Sequence, residues 1–397
     1  MGATYQLLLN GKAADPGFYT DLVSLEVEES MDLPGAVQLQ LPVAATQSGD
    51  LTYVSDARLQ PFSSLAVVVT PPTDSSSAGL SAVLDDGNGA SGSQCIFDGY
   101  VLSQKLHLET GTTRSTLSVW GQDASWMMNL TEKTREWLDV TDAGVANSIF
   151  GDYGITPASD NTDDDSPSHT ESGHSLMQCG SDIRFLRMLA RRNGKFCRVV
   201  CADQPGQRTG YFAAPNVSGS PVVTLTLNDP QAWNIDSVDL DWDATRPTSV
   251  VARQALFTDD DPTGAVGDTS ESGLSLMGSR GLADFTGNPM TVMLAAPVDD
   301  AGELSMRAAA LLEESLWFVK CQGEADLSKL GVVLRAGVTV SLAGVGSLHS
   351  GTYLVWSVRH VITAQSYKMK FSLVRNAIGQ PPTGGAGGLA AMVESAL

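Results

Sequence analysis

The stretch "HSGTYLVWSVRHVI" (residues 349–362) holds two of the chain's five histidines, together with two serines and an arginine. Such residues could form a nucleophilic or acid–base site if the fold brought them together. Its residues alternate, however, with His360 on one parity and Ser357 and Arg359 on the other, as a pleated strand requires. In one extended strand, His349 would lie roughly 35 Å from His360. The stretch therefore predicts one β-strand and not an active site.

Two acidic segments have part of the spacing of a calcium-binding loop. The segment "DNTDDDSPSHTE" (160–171) has acidic residues at positions one and twelve, but Asp165 stands where the loop needs glycine. The segment "DDDPTGAVGDTS" (259–270) has that glycine but ends on Ser270, where a bidentate glutamate is needed. Each segment lacks one decisive residue, so both are expected to be solvated loops.

Histidine and cysteine give two further candidate metal sites. His169, His174 and Cys179 could ligate zinc, but the glycine and serines between them indicate a loose loop. Cys197 and Cys201 fall in a predicted strand without a second Cys/His pair at zinc spacing nearby. No nucleophile-elbow, metalloprotease or Walker motif occurs. We therefore expect no catalytic residue, no cofactor and no metal, and a protein that is not an enzyme.

The segment "GSDIRFLRMLARRNG" predicts the clearest helix of the chain, over residues 181–193. Ser181 or Asp182 would cap it, and Gly194 would end it in a left-handed conformation. The helix carries the one basic cluster of an acidic chain: Arg184, Arg187, Arg191 and Arg192. These arginines are candidates for contact with an acidic neighbouring subunit, the alternative being a solvated face.

The composition excludes several classes of protein. With 45 acidic against 24 basic residues, the chain of 397 residues has a formal charge of −21, which disfavours direct binding to nucleic acid or to an anionic membrane. No apolar run is long enough to span a bilayer, and the N-terminus does not have the pattern of a secretory signal. Five cysteines, an odd number, fit a reducing compartment with free thiols.

The hydrophobic pattern predicts a mainly β protein with an α/β insertion (α+β). The predicted parts are a first β-barrel over 1–123 with a long loop at 73–94, an α/β accessory insertion over 124–217, a second β-barrel over 218–378 with a helix near 304–317, and a flexible glycine-rich tail over 379–397.

An internal repeat relates the two β-rich parts. Residues 24–41 align with 237–254, with Ser and Pro residues at one constant offset. Residues 99–121 align with 351–375, since both begin at glycine, run through a long alternating strand and return after a threonine-containing turn. The order of the matched segments predicts two similar β-barrels.

Two stretches carry a resemblance to a known family. "SDIRFLRMLARRNGKFCRV" (181–199) resembles the Ser-Asp-x-x-Phe-Leu-x-x-Leu-Ala-Arg-Arg-x-Gly segment of phage late control protein D and of the N-terminal part of VgrG proteins. "GEADLSKLGVVLRAGVTVSLAGVGSLHSGTYLVWSVRHVI" (323–362) and "LVRN" (373–376) are similar to that family's second barrel. The resemblance spans roughly residues 1–378 and implies two tube-like β-barrels plus an accessory domain.

The resemblance also implies a structural hub in the baseplate of a contractile phage tail or contractile injection system. Such a hub is a homotrimer with pseudo-six-fold symmetry, made in the bacterial cytoplasm, whose partners are the tail tube protein, a spike and other baseplate proteins. Because the chain ends after the glycine-rich linker, the spike is expected to be a separate protein. The residues leave phage, bacteriocin and injection system open.

Two other functions stay as alternatives. A tail-associated cell-wall hydrolase would need a carboxylate pair or a Cys/His site in a cleft. A β-sandwich adhesin that binds glycans would be expected to expose aromatic residues on loops, whereas Trp120, Trp242 and Trp356 fall in strand patterns.

Overall fold

The computed structural model describes residues 4–72, 92–110, 114–161, 166, 168–171, 175–254, 265–298 and 301–380. The fold is mainly β, as the alternation predicts. Most of the predicted long loop, parts of both acidic segments, His174 and nearly all of the predicted tail lie outside the described residues.

The N-terminal part is a run of antiparallel strands with one short helix. Its elements are β1 (Thr4–Leu9), β2 (Lys12–Ala13), α1 (Pro16–Asp21), β3 (Ser24–Ser30), β4 (Ala36–Pro42), β5 (Ser64–Thr70), β6 (Gln94–His107) and β7 (Thr116–Asp123). In β4, Val37, Leu39 and Leu41 are buried while the residues between them are half-buried, because successive side chains point to opposite faces. We call β1–β7 the first module.

The accessory region has a hydrophobic core of its own, which includes Trp137, Phe150, Leu186 and Phe212. Its elements are a 3₁₀ helix (Ala124–Asn129), β8 (Glu132–Trp137), α2 (Asp142–Asp152), β9 (Thr156–Pro157), β10 (Leu176–Ser181), α3 (Asp182–Arg192), β11 (Phe196–Cys201) and β12 (Arg208–Ala213). The predicted helix 181–193 is α3. Ser181 is its N-cap residue, and Gly194 follows in the left-handed region with φ of 66°.

The C-terminal part resumes the β pattern. Its elements are β13 (Thr224–Thr226), β14 (Ile235–Trp242), β15 (Ser249–Gln254), β16 (Ala265–Val266), β17 (Arg280–Gly281), a 3₁₀ helix (Leu282–Asp284), β18 (Thr291–Leu294), α4 (Ala301–Ser315), β19 (Val319–Asp326), α5 (Leu327–Leu330), β20 (Thr339–Ala343), β21 (Gly351–Ile362), β22 (Tyr367–Arg375) and β23 (Ala377–Ile378). We call β13, β14 and β19–β22 the second module. The helix predicted near 304–317 is α4, which packs on β15 over a small separate core.

The two modules have the same strand order. Hydrogen-bonded neighbours follow the order β5-β6-β7-β4-β3 in the first module and β20-β21-β22-β19-β14 in the second. The strands of the two modules belong to one sheet, with β13 and β20 off its main path, and no closed barrel is found among the described strands. One hydrophobic core runs through both modules.

The strand registers refine the predicted repeat. Through the pairings β3 to β4, β4 to β7, β14 to β19 and β19 to β22, Leu25 corresponds to Val238 and Val27 to Leu240, which is the offset that the sequence predicts. The predicted match of β4 with 249–254 is wrong. Those residues form β15, which pairs with β16 and β18 in a separate sheet, and the counterpart of β4 is β19.

Candidate assembly interface

The two modules are joined by backbone pairing between β3 and the outer half of β21. Residues 357–362 of β21 pair antiparallel with residues 25–30, while residues 351–354 pair with β20. The change of partner follows a bulge at Trp356, between Val355 and Ser357. A bulge bends its strand and increases the local twist, which directs the outer half of β21 to a new neighbour. We call the pairing of 25–30 with 357–362 the seam.

One face of the seam is ionic. Arg359 lies opposite Glu28 in the ladder, with 2.7 Å between its Nη2 and the Glu28 carboxylate, and its Nη1 is 3.8 Å from Glu26. These side chains are partly exposed, so each pair contributes at most about 1 kcal/mol. Their larger effect is on register, because a slip of one residue moves Glu26 and Glu28 to the opposite face of the sheet from Arg359.

The other face of the seam is buried. Leu25, Val27 and Ile362 are almost inaccessible to solvent and belong to the common core. His360 is also fully buried, and its Nδ1 lies 3.0 Å from the Tyr367 hydroxyl. Burial lowers the pKa of His360 to about 4, so its ring is neutral at physiological pH.

Residues 351–362 of the stretch form a strand, as predicted, whereas His349 lies in the turn before it, and the two histidines have separate surroundings. His360 contacts Tyr367, whereas the His349 ring lies edge-on to Trp242 with 6.4 Å between ring centroids. Burial lowers the pKa of His349 as well, with the Arg375 charge a secondary cause. The structure therefore does not bring the histidines into one site.

Two buried ion pairs that join different parts of the chain were not predicted. Arg208 of β12 binds Asp98 of β6, with 2.9 Å between Nε and the carboxylate, and both side chains are largely buried. Arg335 binds Glu29 at 2.6 Å in a similarly buried setting. The partners are far apart in sequence, and no local pattern signals such pairs.

The four arginines of α3 have different surroundings. Arg184 and Arg191 are largely exposed, with Glu132 at 3.7 Å and Glu314 at 2.8 Å respectively. Arg187 lies in the cleft between α3 and α4, where its Nε is buried without a hydrogen-bond partner in the described part of the chain.

Arg192 departs from the prediction of an intersubunit contact. It is mostly buried, binds Asp142 through Nε and Nη2 at 2.9 and 2.5 Å, and lies 3.9 Å from Glu303. Its charge is neutralised within the chain. Of the four arginines, Arg184 and Arg191 are the ones placed to meet a partner, and that contact stays a prediction.

The candidate metal-ligating residues are dispersed. Among the described residues, no three His, Cys, Asp or Glu side chains are grouped so that they could hold a metal ion. His169 is buried against Asp142, with 2.8 Å between Nε2 and the carboxylate, whereas Cys179 is exposed on β10. Burial raises the pKa of the Cys197 thiol to about 12, and the Cys201 thiol donates to the Cys95 carbonyl. Neither thiol has the properties of an activated nucleophile.

A search of the described helices for membrane-spanning segments finds none of sufficient length and apolar character.

The fold is that of phage tail proteins. It is similar to the 43 kDa tail protein of prophage MuSo2 from Shewanella oneidensis, with a TM-score of 0.65 and 13% identity over 95% of this chain and 100% of that chain. It is also similar to the tail protein from Neisseria meningitidis MC58, with a TM-score of 0.63 and 14% identity over 96% of this chain and 99% of that one. A third structure is the E. coli c3393 protein, described as a component of the type VI secretion system with structural similarity to T4 bacteriophage tail proteins gp27 and gp5. Its TM-score is 0.51, with 12% identity over 91% of this chain and 76% of that one.

Residues 87–364, well over half of the chain, match the family model described as the Alg8 N-terminal domain. By this match the chain belongs to the Alg8 N-terminal domain family. No curated protein matches it in sequence.

Proposed function

We propose that this chain is the structural hub protein of a contractile phage tail or contractile injection system baseplate. The observation that carries the proposal is the duplicated module: one chain holds two sheets with the same strand order, joined side by side by the seam. The likeness of the fold to tail proteins, together with the resemblance of residues 181–199 and 323–362 to late control protein D and VgrG, supports it.

The duplication has a function in a symmetry adapter. Three chains with two similar modules each supply six similar units in a closed ring. One face of such a ring matches a hexameric tail tube, and the other, where the accessory regions and connections differ between modules, is three-fold and matches a trimeric spike. In this arrangement each module is one segment of a tube wall.

The partners follow from this role. They are two further copies of the chain, the tail tube protein, a separate spike protein and other baseplate proteins, with Arg184 and Arg191 as contacts to an acidic neighbour. The hub is made in the bacterial cytoplasm and becomes part of the virion tail or injection particle. It acts without catalysis, which an assay for peptidoglycan hydrolysis by the purified chain tests: hydrolysis abolished by a single carboxylate or cysteine substitution would contradict it.

The stoichiometry tests the hub function directly. The full chain is purified alone and with its tail tube protein, and native mass spectrometry measures the assemblies. We expect a homotrimer that binds a six-fold tube ring. A stable dimer or tetramer in the presence of the tube protein would contradict the proposal.

A further inference from the structure

Two strand edges are unpaired in the described part of the chain. The outer half of β6, residues 103–107, pairs with β7 on one side and has no strand on its other side, since β5 pairs with β6 only as far as Tyr100. Strand β14 pairs with β19 on one side and with no described strand on the other. An open edge of this kind is a template for pairing with another strand.

These two edges are the counterparts of the two strands in the seam. Strand β6 corresponds to β21, and both carry a bulge at the equivalent residue, Leu102 in β6 and Trp356 in β21. Strand β14 corresponds to β3 through the registers given above. The chain therefore contains both strands that a second seam needs, and in the described part of the chain these two strands do not pair with each other.

We propose that residues 103–108 of one copy pair antiparallel with residues 238–243 of the next copy, in the register of the seam. Transferring the seam register residue by residue puts Lys105 opposite Asp241 and Leu106 opposite Leu240. The proposal rests on the ring of the proposed function, and it identifies these two strand edges as the contact that closes that ring.

The charges on the two edges fit this register. Lys105 takes the place of Arg359, and Asp241 and Asp239 take the places of Glu28 and Glu26. Lys105 and the two aspartates form no ion pair with described residues of their own chain. The second seam repeats the ionic face of the first with the same sign on each strand.

The apolar residues on the two edges fit as well. Leu106 and Leu108 are 39% and 56% exposed, whereas His360 and Ile362 at the equivalent positions of the seam are 0% and 2% exposed. Opposite them, Val238 and Leu240 are half-buried, although their counterparts in β3 are fully buried. Pairing of the edges covers the apolar side chains that the first seam covers within the chain.

A second copy of the chain occupies each edge, because the edge of β6 is complementary in charge to the edge of β14 and neither edge is complementary to itself. Lys105 needs an acidic strand, and β14 supplies one. An interface between two different surfaces is heterologous, and repetition of it closes a ring when the rotation permits. Three copies then give six seams, three within chains and three between them.

Engineered disulfides test the register. In a Cys179→Ser background, which removes the exposed native thiol, Leu106→Cys is combined with Leu240→Cys in the full chain. Directly opposed residues of antiparallel strands have Cα atoms about 5 Å apart, within disulfide reach. The matched control combines Leu106→Cys with Asp236→Cys, four residues along β14 and about 13 Å away. We expect the first pair to give covalent dimers and trimers on oxidation and the control to stay monomeric on denaturing gels.

Charge variants give a second readout that does not depend on cysteine. Lys105→Glu or Asp241→Lys alone should weaken association by about tenfold, since like charges face each other across a seam, and the double variant should restore it. Lys12→Glu, in an exposed hairpin at the other end of the sheet path, is the control for net charge.

The outcomes separate this proposal from the hub function. The edge pairing would be overturned, and the hub function left intact, if the wild-type chain is a trimer but the Leu106→Cys and Leu240→Cys variant forms no disulfide and both single charge variants still form trimers. A wild-type dimer or tetramer with tube protein present would overturn the hub function itself.

Discussion

Replacement of Asp142 by asparagine should destabilise the protein in a pH-dependent way. The Asp142 carboxylate is fully buried at the first turn of α2 and accepts hydrogen bonds from His169 Nε2 at 2.8 Å, Arg192 Nε at 2.9 Å and Asn193 Nδ2 at 2.6 Å. It thereby ties the start of α2 to the end of α3. Loss of its charge leaves the Arg192 guanidinium, itself mostly buried, without its main counter-ion.

The magnitude follows from the pKa of Asp142. Burial raises this pKa, but the hydrogen bonds from His169 and Arg192 and the Arg192 charge outweigh burial and bring it from 3.8 to about 2. At 1.36 kcal/mol per unit, the ionised carboxylate stabilises the fold by about 2.5 kcal/mol. Because the folded pKa is the lower one, this stabilisation is complete above about pH 4 and is lost as the pH falls towards 2.

We therefore expect Asp142→Asn to lower the free energy of unfolding by about 3 kcal/mol at pH 7, with Glu303 limiting the cost of the uncompensated, mostly buried guanidinium charge. At pH 3 the difference from wild type should shrink by about half. Urea unfolding followed by circular dichroism at both pH values measures it. Glu132→Gln, which removes an exposed carboxylate of the same region, should change the free energy by less than about 0.5 kcal/mol. An equal loss at pH 7 and pH 3, or a loss below about 1 kcal/mol at pH 7, would refute the reasoning.

Three further predictions concern single side chains. Because burial lowers the pKa of His360 to about 4, this histidine takes up a proton in the unfolded chain first, and the free energy of unfolding should fall as the pH drops from 6.5 to 4. The double variant His360→Leu with Tyr367→Phe should flatten that pH dependence in urea titrations, and an unchanged slope would contradict the prediction. Gly344→Ala should destabilise the fold by more than about 1 kcal/mol, because φ is 80° and a Cβ would lie 1.6 Å from the Leu227 carbonyl oxygen. Gly346→Ala is the control for backbone strain alone, since Gly346 has φ of 83° and open space around it. Equal melting temperatures for the two variants would exclude the clash. Arg191→Glu should cost less than about 1 kcal/mol of folding stability, since its pair with Glu314 is exposed, but should reduce the trimeric or tube-bound fraction in native mass spectrometry. An unchanged assembled fraction would contradict this.

Local patterns in the sequence predicted the elements that depend on local chemistry. The alternation over 349–362 and the capped amphipathic pattern over 181–193 correspond to β21 and α3. The match of β3 with β14 is also correct in register. The match of β4 with β15 is wrong because alternation has a period of two, which any strand satisfies, and because β15, β18 and α4 interrupt the second module between β14 and β19.

Long-range pairing explains what the sequence did not reveal about the candidate interface. Arg192 belongs to the same basic cluster as Arg191 in the sequence, yet its partner Asp142 is 50 residues away and turns it inward. The position of the seam likewise depends on a one-residue bulge at Trp356. Because polar and apolar residues still alternate before and after Trp356, the sequence pattern does not reveal this bulge. Such choices depend on three-dimensional neighbours and have no local signature.

The seam between β3 and β21 also has a kinetic consequence for assembly. Two segments of one polypeptide meet at an effective concentration in the millimolar range, whereas segments on separate chains meet at the concentration of free subunits. In a ring of six units built from three chains, half of the contacts are formed during folding, before any encounter between molecules. Three chains need two encounters between molecules, whereas six separate units would need five, because the last contact of a ring forms within the assembly. For the proposed ring, duplication thus reduces the number of concentration-dependent steps between synthesis and closure from five to two.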